Sequence, residues 1–103
     1  MPLSEWNEKQ VIELSRQHIG SAAILFTTPL CGTCKVAERM LEIVEATGIP
    51  HPVVKININF APKLAHEWKV ESVPCLVFVK NRSLLWKEYA MQSAGYLYER
   101  LKL

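Results

Sequence analysis

Residues Thr27 to Lys35 read TTPLCGTCK and follow directly on the apolar run Ala22-Ala23-Ile24-Leu25-Phe26. That run is short and continuous, bounded by Gly20-Ser21 on one side and Thr27-Thr28-Pro29 on the other, the pattern of a strand buried on both faces. Beyond the motif, Val36, Ala37, Met40, Leu41, Ile43 and Val44 recur at helical spacing among Glu and Lys. They predict a helix from about Thr33 to Ala46 that stops at Thr47-Gly48. Two cysteines three positions apart therefore sit where a buried strand hands over to a helix.

Working outward, the same alternation continues. Asn7 with Gln10 reads as a capping box for a first helix carrying Val11, Ile12, Leu14 and Ile19 and closed by Gly20. Val53 to Ile58 is β-branched and predicts a strand, and Pro62 to Trp68 a short helix with proline in its first turn. Cys75 to Val79 and Leu84 to Tyr89 predict two strands, paired antiparallel across the short link Lys80 to Ser83; Ser93 to Leu101 predicts a closing helix. The order helix, strand, helix, strand, helix, strand, strand, helix implies an α/β domain with a central mixed sheet and helices on both faces.

The bulk numbers fit one such domain over residues 1–103: half of the residues are hydrophobic and 21% charged, a compact composition rather than a disordered one. A formal net charge of +2, spread among glutamates, is too small for a nucleic-acid footprint. The polar N-terminus shows no secretory leader, and no apolar run approaches the roughly 18 residues of a membrane span. Three cysteines are too few and odd in number for a disulfide-framed secreted domain. These features predict a cytoplasmic protein in which any disulfide is transient.

At a helix N-terminus, unpaired backbone N–H groups and the positive end of the helix dipole favour the thiolate of Cys31. The thiolate is the attacking species in disulfide exchange, and such motifs bring its pKa down from a free value of about 8.5. Cys34, one turn on, faces the same side and is placed to resolve a mixed disulfide. Gly32 and Thr33 permit the tight turn between them. A zinc site needs four ligands and the chain has one cysteine pair; His18, His51 and His66 stand at no supporting spacing, so no resident metal is expected. An iron-sulfur carrier using Cys31, Cys34 and Cys75 stays open as an alternative, as does a peptide-binding adaptor with idle cysteines.

The element order, LCGTCK at the strand-to-helix junction and VPCLVFVKN some forty residues later resemble the thioredoxin family over nearly the whole chain. The resemblance implies the thioredoxin fold, with a four- or five-stranded mixed sheet. It implies a thiol-disulfide oxidoreductase with Cys31 as nucleophile and Cys34 as resolving thiol, and a cis proline at Pro74 beside them. Val73 and Pro74, with Gly32 and Thr33, then form the substrate edge, where an extended peptide pairs with backbone. No bound organic cofactor is implied. Protein disulfides are the substrates, a separate reductase or a low-molecular-weight thiol the electron donor, and a monomer is expected.

The chain also departs from the family. Leu30 stands where tryptophan is usual, Thr33 where proline is usual, Arg39 replaces a helix-kinking proline and Ala90 a glycine near the groove. The buried acid that accepts the second cysteine's proton falls at Leu25, so Lys55, which matches a family lysine, loses its usual partner. Cys75, where threonine is frequent, reads first as a small core residue and second as a third redox thiol. These losses predict a selective reductase.

Overall fold

In the computed structural model, which describes residues 2–16, 20–81 and 83–103, five strands form one mixed sheet in the order β1-β3-β2-β4-β5. The elements are β1 (Ser4–Glu5), α1 (Glu8–Arg16), β2 (Ser21–Thr27), α2 (Gly32–Ala46), β3 (Val53–Asn57), a 3-10 turn (Ile58–Phe60), α3 (Pro62–Glu67), β4 (Cys75–Lys80), β5 (Ser83–Glu88) and α4 (Ala94–Leu101). β1 and β2 run parallel to β3, and β4 runs antiparallel to both β2 and β5. The predicted elements all appear, and the ends that fall among the described residues are shifted by a residue or two. The two-residue β1 and the 3-10 turn are additions. Neither is long enough to show a periodicity, and β1 exists only through its pairing Ser4 with Val54 and Glu5 with Lys55.

The alternation of side chains along each strand divides the core in two. Ala22, Ile24 and Phe26 of β2 pack with Val54, Ile56, Cys75 and Val77 against Val11 of α1 and Leu64 of α3. Ala23 and Leu25 pack with Val53, Leu76 and Phe78 against Ala37, Leu41 and Val44 of α2 and Leu97 and Leu101 of α4. β2 is therefore buried on both faces, which is why its sequence is apolar from Ala22 through Phe26.

The helix ends follow their sequences. The Asn7 and Gln10 side chains each accept from the other's backbone N–H at 2.8 Å, the reciprocal capping box. Ser93 caps α4 by accepting from the Tyr96 N–H at 3.1 Å. Gly48 follows α2 with φ +80°, a left-handed conformation that costs glycine least. The expected member Ile19 of the first helix, and His18, lie outside the described residues.

A disulfide at the head of the second helix

β2 ends at Thr27, and the chain turns through Thr28-Pro29-Leu30, the Cys31 N–H donating to the Thr28 carbonyl at 3.3 Å. Cys31 is the N-cap of α2, with extended φ and ψ, a position usually filled by Ser, Thr, Asp or Asn because their side chains accept from the first turn. Here the sulfur does so: the Cys34 backbone N–H donates to Cys31 Sγ at 3.1 Å, and the Thr33 hydroxyl lies 3.3 Å from the same atom. The Cys31 and Cys34 sulfurs are joined in a disulfide across a Cα–Cα distance of 5.2 Å. Cys31 is partly exposed and Cys34 is 1% exposed. One sulfur is thus open to solvent at a helix N-terminus, and the other is buried directly behind it.

The electrostatics favour negative charge on Cys31 once the bond is reduced. A backbone N–H and a hydroxyl are already aimed at Sγ, and the helix dipole adds to them. Hydrogen bonds to a charged form stabilise it and lower the pKa of an acid. Leu30, beside it, is 98% exposed, so the approach to the sulfur is flanked by an apolar side chain.

The Val73–Pro74 bond is cis, and Pro74 sits with Thr33, Val36, Ala37, Met40, Tyr89 and Met91 around an open, largely apolar groove of about 360 Å³. The cysteine motif and the Val-Pro segment, some forty residues apart in sequence, are therefore neighbours. Gly32 is exposed, and a Cβ there would meet nothing within 4 Å, so the space beside the motif is open. Tyr89, Met40 and Met91 were missed by the sequence reading; only Ala90 was marked there, and its neighbours carry the side chains that line the groove.

Two further sequence candidates are placed differently. Cys75 is 0% exposed and packs with Phe26 and Val77 on the face that α1 and α3 cover, away from the α2 side. Burial pushes its thiol up to about 11. It is a protonated core residue at neutral pH. Among the described residues no three of His, Cys, Asp and Glu are grouped to hold a metal ion.

Lys55 projects from β3 on the α2 side, in register with Leu25, and finds a new partner: its Nζ lies 2.7 Å from Glu38 Oε1. The hydrogen bond to Glu38 raises the Lys55 pKa above the usual lysine value. Glu38 is one turn beyond Cys34 on α2, and only the packing of α2 on β3 brings it to Lys55.

A mixed sheet with helices on both faces and a Cys-x-x-Cys disulfide at a strand-to-helix junction beside a cis X-Pro bond defines the class of thiol-disulfide oxidoreductases. Comparison with known proteins agrees. The thioredoxin family model matches residues 5–101, and the chain belongs to the thioredoxin family. It is 34% identical over 96 residues to the thioredoxin-like protein YusE of Bacillus subtilis (strain 168), covering 91% of each chain. It is 30% identical over 84 residues to an H-type thioredoxin of Ricinus communis, covering 80% of this chain and 68% of that protein. Among solved structures, a mutant thioredoxin from Halobacterium salinarum NRC-1 superposes with a TM-score of 0.81 at 21% identity, over 98% of this chain and 88% of that one. Oxidised mitochondrial thioredoxin 3 from Saccharomyces cerevisiae gives 0.78 at 24% identity, over 97% and 93%. The protein is a thiol-disulfide oxidoreductase of the thioredoxin fold.

Proposed function

We propose that the protein is a selective reductase of protein disulfides in the cytoplasm, working as a monomer, with Cys31 as its nucleophile and Cys34 as its resolving thiol. In the reduced enzyme the Cys31 thiolate attacks one sulfur of the substrate disulfide. That S–S bond breaks, a mixed disulfide forms on Cys31, and the first substrate thiolate leaves and takes a proton. Cys34, deprotonated, then attacks Cys31 Sγ; the second substrate thiolate leaves, and the Cys31–Cys34 disulfide remains. Two electrons have passed to the substrate, and an external reductase or low-molecular-weight thiol restores them.

The observation that carries this reading is the state of the Cys31 sulfur: partly exposed, held by the Cys34 N–H and the Thr33 hydroxyl, and within bonding reach of a buried partner. An idle-cysteine adaptor gives no reason for that arrangement. Val73 and Pro74 are read as the edge that pairs with the substrate backbone, and Gly32 and Thr33 as the opposite rim.

Selectivity is supported by the substitutions around the motif. Leu25, fully buried, cannot accept the Cys34 proton, so water or a more distant base must take it. The cytoplasmic reading rests on the sparse, odd cysteine count. No helix among the described residues is long and apolar enough to cross a membrane. The test is a redox titration with thiols identified by mass, together with insulin-disulfide reduction beside an ordinary thioredoxin. A Cys31–Cys34 couple that cycles, with a slower insulin rate, is expected. An equal insulin rate removes the selectivity, and a pair that never exchanges removes the enzyme mechanism.

A further inference from the structure

We propose that Lys87 and Tyr89 are positioning residues that hold the 69–74 segment in the shape that offers the Val73-Pro74 edge to an extended chain, and so set the preference for protein over small disulfides. The inference rests on the exchange reading above and adds residues outside the cysteine motif to it.

The argument begins at the end of α3. The Lys69 N–H donates to the His66 carbonyl at 3.3 Å and the Val70 N–H to the Ala65 carbonyl at 2.9 Å, the paired bonds of a Schellman motif. The residue at its left-handed position is glycine in most such helix ends. Here it is Lys69, with φ +53°. A side chain makes that conformation unfavourable, and it persists where the surroundings hold it in place.

What holds it comes from the β5 side of the sheet. Lys87 Nζ donates to the Trp68 carbonyl at 3.2 Å and to the Lys69 carbonyl at 2.6 Å. The Tyr89 hydroxyl donates to the Lys69 carbonyl at 3.3 Å and accepts from the Glu71 N–H at 3.1 Å. The ammonium group also lies 5.9 Å from the centroid of the Tyr89 ring. Carbonyls and an N–H left over at a helix end are thereby satisfied by side chains 18 to 20 residues away.

The clamp is not remote from the chemistry. The segment it grips runs through Val73 and Pro74 into β4, whose pairing with β2 fixes the far end, and the ring of Tyr89 itself lines the groove with Thr33, Pro74 and Met91. A small disulfide needs only access to Cys31 Sγ. An extended chain must also pair with the backbone at Val73, so a loosened segment weakens protein binding first.

The experiment compares insulin with hydroxyethyl disulfide, an external thiol donor being held constant. Lys87→Gln is expected to raise KM for insulin about fivefold to tenfold, the loss of a charge-assisted hydrogen bond, with kcat and hydroxyethyl disulfide turnover each within about twofold. Lys87→Arg retains a donor and restores most of the insulin KM. Tyr89→Phe keeps the ring and loses the hydroxyl; it raises the insulin KM too, and the double variant goes little beyond the larger single effect because both act on one segment. Unchanged insulin KM in Lys87→Gln, or equal losses against both disulfides, overturns the inference while leaving the exchange reading intact. Should Tyr89→Phe fail to fold, the Lys87 pair decides alone. A wild-type protein that reduces neither disulfide sinks the exchange reading and this inference with it.

Discussion

The cysteine turn and the 69–74 segment flank the same groove, yet they are built in opposite ways. The first is made of contiguous residues: Cys31 caps its own helix, Thr33 and the Cys34 N–H serve its sulfur, and nothing distant is required. The second is left in an unfavourable backbone conformation by its own sequence and is held by Lys87 and Tyr89 from beyond the next strand. In the proposed reading, reactivity is therefore encoded locally, and the shape of the substrate edge is encoded by tertiary contacts. On that reading a change in the first alters chemistry with every substrate, whereas a change in the second alters which substrates are held.

The largest effect that would test this division is Cys34→Ser. Without the buried thiol, the mixed disulfide on Cys31 has lost an intramolecular attacker and must wait for an external thiol. We expect turnover to fall about a thousandfold or more, with a substrate-linked adduct visible by mass. The loss should be the same for insulin and for hydroxyethyl disulfide. A loss confined to one of them would break the separation between chemistry and selection.

Next in size is Lys69→Gly. Glycine takes the left-handed conformation without a Cβ penalty of about 1–2 kcal/mol, offset in part by its larger unfolded-state entropy of about 0.5–1 kcal/mol. Thermal or denaturant unfolding should show a gain of about 0.5 kcal/mol, and combining it with Lys87→Gln should recover part of that variant's insulin KM. A net loss of stability would mean that the clamp holds the segment by something other than backbone conformation.

How much of this was legible in the sequence follows the same division. The helices and strands around TTPLCGTCK were readable because each carries its own periodicity or cap: Asn7 with Gln10, the apolar face of α2, the unbroken run of β2. The pairing of β1 was not, since two residues have no period and Ser4 and Glu5 are polar and exposed. The cysteine turn was readable as a motif. The clamp was not, because Lys87 in a strand reads as a solvated charge and nothing local says that its ammonium reaches two carbonyls at the end of α3. Lys55 is the intermediate case: its place was visible, but its partner Glu38 became evident only when β3 and α2 were brought together.

A smaller effect sharpens the local side of the comparison. Thr33→Val removes the hydroxyl beside Cys31 Sγ and leaves the backbone N–H of Cys34 in place. In the reduced protein the Cys31 pKa should rise, since one of its hydrogen bonds to the thiolate is lost at a partly exposed site. Iodoacetamide alkylation followed against pH reads this directly, and Cys75, buried with its thiol pushed up to about 11, should remain unlabelled in the native protein. An unshifted profile would show that the backbone N–H and helix dipole alone set the thiolate.

The smallest effect concerns the Lys55–Glu38 pair, which joins the two kinds of region because it ties β3 to the helix that carries the cysteines. With both side chains partly accessible, the pair should contribute about 0.2–1 kcal/mol, less at high salt. The Lys55 pKa is raised in the folded protein, chiefly by the Glu38 hydrogen bond, so the folded state holds this proton more tightly than the unfolded chain does. Its contribution is fully present below the unfolded lysine value of about 10.4 and is lost as pH rises through the higher folded value. Denaturant melts at intervals from pH 9 to pH 12, compared with Lys55→Met, should therefore converge at the alkaline end. Curves that keep a constant separation there would show that Lys55 stabilises the protein through its aliphatic stem packed between β3 and α2, and that its charge contributes nothing.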